Sequence, residues 1–95
     1  MKNLELIEKL SNLNKVLMEI KDEYGVIGWG DYSIQIYELS NLLKISDENI
    51  KIVDRNDSDY PYEFILEIDD TVYFCLGDKS TIEEYTKYME FKGDL

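Results

Sequence analysis

Two apolar runs that meet at a pair of aspartates limit this chain's fold most strongly: YEFILEI, residues 62 to 68, and TVYFCL, residues 71 to 76, joined by Asp69 and Asp70. Each has the length and the aromatic, β-branched content of a strand, and a two-residue connection joins antiparallel neighbours. Side chains alternate along a strand, so Tyr62, Phe64, Leu66 and Ile68 face one way while Glu63, Ile65 and Glu67 face the other. A hairpin with one strongly apolar face needs a covering layer, and the rest of the chain must supply it.

Leu6, Leu10, Leu13, Leu17, Ile20 and Tyr24 recur at spacings of four and three in alternation, which makes one apolar stripe on a helix over residues 4–24. Asn3 is its expected N-cap. The spacing also fits a heptad seam, but a seam this short is weak as an autonomous coiled coil, so the expectation is packing on the protein's own sheet. Three glycines in EYGVIGWGD then break the helix and turn the chain. They do not make a phosphate loop, because the Gly-Lys-Ser/Thr ending is missing and a helix precedes them where a dinucleotide fingerprint needs a strand. Trp29 between two of these glycines is either a core plug or an exposed anchor. Tyr32, Ile34 and Ile36 alternate as a strand, ELSNLLK reads as a short helix, and IKIVDR, residues 50 to 55, as another strand. Ser80-Thr81-Ile82-Glu83 has the form of a capping box opening a last helix that runs to about Phe91, before Gly93. The expected architecture is a single acidic α+β domain spanning residues 1–95. It has a mostly antiparallel sheet of three to four strands, with the N- and C-terminal helices packed on one face.

A chain of 95 residues should bury roughly 65% of its unfolded surface, enough for one core. An apolar fraction of 44% is too high for a disordered acidic tail despite the net charge of -11. The leucine-and-charge alternation of MKNLELIEKL does not read as a signal peptide, and no apolar run is long enough to span a bilayer, so a cytoplasmic location is expected. Cys75 lies in an apolar strand pattern and is expected to be a buried, inert thiol. The abundance of Lys, Asn, Ile and Tyr, with no alanine or histidine, matches an AT-rich genome.

Charge is unevenly spread. Residues 1–21 carry a net +1 and residues 22–95 a net -12. Seven acids, Asp54, Asp57, Asp59, Glu63, Glu67, Asp69 and Asp70, stand between positions 54 and 70 against Arg55 alone. Averaged over the surface expected from size scaling, the net charge comes to about one per 520 Å², against roughly one per 110 Å² on duplex DNA. Only a clustered face could imitate DNA, and this segment could form one: Glu63 and Glu67 project together about 7 Å apart between the loop and the turn. The bland alternative is a solvated outer sheet face whose edge charges block aggregation. Tyr60 and Tyr62 flank Pro61, which stiffens the turn, and tyrosines beside carboxylates suit an Arg/Lys-rich surface. The same rings could instead cap the sheet edge.

Several chemistries are disfavoured. Asp54, Asn56 and Ser58 occupy the first positions of a calcium loop, but Asp59 and Ile65 stand where that loop needs glycine and a bidentate glutamate. No metal and no cofactor are expected. Without histidine an enzyme would need a carboxylate base, and no pair is marked out for that role. Direct nucleic-acid binding is opposed by the net charge.

The DRNDSDYPYEFILEIDDTVYFCL segment, together with small size, AT-rich composition and acidity, resembles the small acidic proteins that phages and mobile elements use to disable host machinery. Anti-CRISPR proteins that occupy the DNA-binding channel of the CRISPR nuclease are among them. The resemblance implies a phage-encoded, non-enzymatic inhibitor, a DNA mimic working in the host cytoplasm on a basic nucleic-acid-binding protein such as a CRISPR effector nuclease. The charge pattern, independently, makes Asp54, Asp57, Asp59, Tyr60, Tyr62, Glu63, Glu67, Asp69 and Asp70 the candidate partner-binding residues. Alternatives are an immunity or antitoxin protein that neutralises a basic nuclease toxin, and a structural or regulatory homo-oligomer built through the Leu6 to Tyr24 stripe. A monomer or weak homodimer is expected in the leading reading.

Overall fold

The computed structural model describes residues 2–93. Its elements in chain order are α1 (Leu4–Tyr24), β1 (Val26–Trp29), β2 (Ser33–Ile36), α2 (Leu39–Ile45), β3 (Lys51–Asp54), β4 (Tyr62–Ile68), β5 (Thr71–Gly77) and α3 (Lys79–Lys92). The strands form one sheet in the order β1-β2-β5-β4-β3. The α+β class and the 62–76 hairpin are as expected, with Ile68 paired to Thr71 across the Asp69-Asp70 turn. Asp69 takes φ 54°, the positive sense that two-residue hairpin loops require and that aspartate tolerates.

The sheet itself differs from expectation. It has five strands and is mixed, because β2 pairs parallel with β5, Ile34 lying opposite Tyr73. The chain reaches this parallel neighbour by way of α2 and the β3–β4 pair, a long connection that leaves no local trace in sequence. The glycine-rich stretch expected only to turn the chain also contains β1. Gly25 ends α1 in the left-handed conformation at φ 70°, and a Cβ there would collide with the Asn41 side-chain amide. Val26–Trp29 then pairs antiparallel with β2 through an irregularity between Val26 and Gly28, an edge position where a bulge and a glycine are tolerated.

One sheet face carries the core. Phe64 and Leu66 of β4, Cys75 of β5, Ile36 of β2, Val26 of β1 and Leu39 and Leu42 of α2 are buried together, with Tyr73, Ile82 and Tyr85 packed against them. Helices α2 and α3 cover this face. Tyr88 of α3 donates its hydroxyl to Asp47 Oδ2 at 2.6 Å, and Lys92 Nζ lies 3.0 Å from the same oxygen, which fastens the last helix to the α2–β3 connection. The cap of α3 lies two residues earlier than the sequence suggests: Asp78, not Ser80, is the N-cap, and it forms the reciprocal box with Thr81. The physical reason is Gly77. A Cβ at that position would sit 2.7 Å from the Thr81 side chain, so only glycine lets the helix begin directly against the strand end.

Helix α1 departs most from expectation. Asn3 caps it as predicted, accepting from the Leu6 amide at 3.1 Å, but none of its residues is buried. Leu6, Leu10, Leu13 and Tyr24 are about half exposed, and α1 meets the core through Ile20, near its body end. The accessible surface, 7370 Å², is well above the roughly 5,700 Å² expected for a compact chain of this mass. The radius of gyration, 16.4 Å, likewise exceeds about 12 Å for a compact fold of this length. So α1 does not pack on the sheet: it extends from the body, and the molecule measures 58 × 30 × 23 Å.

Candidate functional site

The parallel pairing of β2 with β5 brings both strands' carboxyl ends to one end of the sheet, where α2 and α3 begin. The antiparallel pairing of Tyr62 with Gly77 brings the 54–61 loop to that same end. Between them lies a cleft of about 540 Å³, lined among others by Tyr37, Glu38, Tyr60, Asp78, Thr81 and Glu84. Three carboxylates and two tyrosines line it, and among the described residues no lysine or arginine does. The two rings are more than half exposed.

Glu38 is held unusually. Of the four non-glycine residues with positive φ among the described residues, three are Asn or Asp, which tolerate that region; the fourth is Glu38, at φ 66° and ψ 143°. A side chain there costs about 1–3 kcal/mol of strain, and such positions concentrate at functional sites. As N-cap of α2 it makes no capping hydrogen bond from its side chain, so the carboxylate does no local work for the helix.

The loop itself is a self-bonded unit. Asp54 Oδ1 accepts from the Asn56 amide, and Asp57 Oδ1 accepts from the amides of Asp59 and Tyr60, each at 2.9 Å. Arg55 is used internally: its Nη1 donates to the Tyr60 carbonyl at 2.9 Å and its amide to the Pro61 carbonyl at 2.7 Å. The guanidinium, though exposed, is thus tied to the backbone of its own loop, and Tyr60 lines the cleft.

The nine residues singled out in sequence do not form one patch. Asp54, Asp57, Asp59 and Tyr60 lie at the cleft end. Asp69 and Asp70 turn at the other end of β4, about 20 Å away. Tyr62 pairs with Gly77 and packs against the core on the helix-covered face. Glu63 and Glu67 lie on the helix-free face, but their cross-strand neighbours are Leu76 and Val72, the Ile65–Phe74 pair lies between them, and Lys51 is opposite Ile65. They flank an apolar strip. Sequence reasoning missed Tyr37, Glu38, Asp78 and Glu84, which come from two separate segments, 37–38 and 78–84, brought together by the parallel strand pair.

Three carboxyls sit below the ordinary carboxylate range. Asp47 is lowered chiefly by the Tyr88 hydroxyl and then by Lys92, Asp57 by the Tyr60 and Asp59 amides, and Asp78 by the Ser80 hydroxyl and then the Thr81 amide. Because the folded values lie below the unfolded ones, the unfolded chain takes up protons first as pH falls. Their stabilisation is therefore complete above about pH 4 and is lost as pH drops through the depressed values. Urea midpoints measured across pH should be flat in this respect near neutrality and fall on acidification, with a shallower fall in Asp78→Asn. Cys75 shifts the other way: burial, and then the charge of Glu84, pushes its thiol up to about 12, which keeps it protonated within the core.

Among the described residues no three His, Cys, Asp or Glu side chains converge as a metal site, and no helix is long and apolar enough to cross a membrane. Compared with protein-family models, curated proteins and solved structures, the chain matches none.

Proposed function

We propose that this protein is a non-enzymatic inhibitor that binds a basic nucleic-acid-binding protein, such as a CRISPR effector nuclease, in the manner of phage anti-defence proteins. The observation that carries the reading is the cleft lined by Glu38, Asp78 and Glu84 with Tyr37 and Tyr60, without a base in its wall. It is roomy enough to admit arginine or lysine side chains, which the carboxylates would pair and the ring faces would stack against. The self-bonded 54–61 loop beside it keeps Asp57 charged and Tyr60 placed, which lowers the ordering cost of docking. With 7370 Å² of surface for a net charge of -11, the whole molecule is too dilute to imitate DNA, so the clustered end is the part that engages.

The test is affinity capture from a host lysate containing defence nucleases, with wild-type protein and with Glu38→Lys/Glu84→Lys as bait, washed at about 50 and about 500 mM salt. A basic nuclease held by the wild type at low salt, shed at high salt and absent from the variant is the expected result. Identical captures by both baits, or retention indifferent to salt, would overturn the proposal.

A further inference from the structure

The exposed stripe of α1 has a partner that its own sequence describes. We propose that two copies of this chain pair through α1 in an antiparallel, two-fold arrangement, and that the stripe of each helix covers the other. This inference rests on α1 alone and stands whatever the acidic cleft binds.

Four observations converge on a second copy. First, the apolar positions are those of a seam, with Leu10, Leu17 and Tyr24 in one heptad row and Leu6, Leu13 and Ile20 in the other. Laid antiparallel about Lys15, the rows match completely: Leu6 meets Tyr24 of the second copy, Leu10 meets Ile20, and Leu13 meets Leu17. Second, the flanking charges are complementary in this arrangement and not in the alternative. Antiparallel pairing sets Lys9 beside Glu23 of the second copy, twice by symmetry, with Val16 on Val16 and Asn14 on Asn14. Parallel pairing sets Lys9 beside Asn14 and Val16 beside Lys21, which gives no opposite charges.

Third, long-range electrostatics favour the same choice. Residues 1–24, which include α1, carry a net -1 and residues 25–95 a net -10, so α1 is the surface through which two copies can meet with least repulsion. Antiparallel helices of about 31 Å hold the two acidic bodies at opposite ends, several screening lengths apart at physiological salt, whereas parallel helices set them side by side. Fourth, the area suffices. Leu6, Leu10, Leu13, Val16 and Tyr24 are about half exposed, and Leu17 and Ile20 are half-buried where the body starts to cover them. The free N-terminal half of one helix crosses this partly covered half of the other and completes its burial. About 600 Å² per copy, or about 1,200 Å² in all, lies at the lower edge of specific interfaces.

The experiment is sedimentation velocity on the full chain from about 2 to about 200 µM, with fold checked by circular dichroism. Wild type should pass from monomer to dimer in that range, and Leu13→Asp should remain monomeric while folded, since α1 contributes no buried residue. Lys9→Glu and Glu23→Lys should each weaken the dimer by about tenfold, and the double reversal should recover most of that loss. Lys9 also pairs with Glu5 of its own helix at 3.3 Å, but the double variant lacks that contact too, so recovery reports the pairing between copies. A wild-type monomer at the highest concentration, a dimer that survives Leu13→Asp, or a double reversal no tighter than the single ones would overturn the proposal.

Discussion

Replacing Phe64 by alanine should remove about 3–5 kcal/mol of stability, a large share of the roughly 5–14 kcal/mol available to a domain of this length. Phe64 is fully buried at the middle of β4, lies across from Cys75, and meets Tyr85 of α3 edge-on with ring centroids 6.0 Å apart. Its removal takes away the buried area, the aromatic pair and the contact joining α3 to the sheet, and the pleat around the gap is too constrained to close it. Leu10→Ala on α1 is the matched comparison. Leu10 is 54% exposed, so below the dimerisation range its loss should cost less than about 1 kcal/mol. Urea denaturation of both variants measures the difference, and similar losses would contradict the separation of α1 from the core.

Glu38→Gly should make the protein more stable and a weaker binder. At φ 66° and ψ 143° the backbone occupies a region that glycine enters freely and glutamate does not, so relief of strain should outweigh glycine's entropic cost by about 1 kcal/mol. Glycine is also an acceptable N-cap for α2. The same substitution removes a carboxylate from the cleft wall, and loss of a charge facing a bound cation should weaken partner affinity by about tenfold or more. Opposite signs for stability and binding distinguish a functional glutamate from a structural one. Thermal unfolding and a titration with the captured partner check it: a less stable Glu38→Gly, or one that binds as wild type does, would remove Glu38 from the site.

Much of the secondary structure was legible because it is written locally. The Asp69-Asp70 hairpin, the Asn3 cap, the 3.6-residue stripe of α1 and the αL stop at Gly93 each depend on a few adjacent residues. What sequence did not disclose depends on distant ones. The spacing of Leu6 to Tyr24 specifies an amphipathic helix and says nothing of which surface it meets, so a seam suited to the sheet and one suited to a second copy read alike. The Asp78 cap was displaced from Ser80 because the decisive constraint is the close approach of Thr81 to Gly77, which only coordinates reveal. The cleft was hidden for the same reason. Tyr37, Glu38, Asp78 and Glu84 are unremarkable one by one in an acidic chain, and they meet because β2 lies parallel to β5. The 54–59 aspartates were visible as a charge run, whereas the bond from Arg55 to the Tyr60 carbonyl was not.

Binding of basic groups at the carboxyl end of the β2–β5 pair can be measured by nuclear magnetic resonance. Isotope-labelled protein would be titrated with an arginine-rich peptide at about 50 mM salt and the amide shifts mapped onto the fold. Shifts should concentrate at Tyr37, Glu38, Asp57, Tyr60, Asp78 and Glu84 and reverse when salt is raised. Shifts centred on Glu63, Glu67 and Lys51, shifts spread evenly over the surface, or none at millimolar peptide would contradict binding at that end.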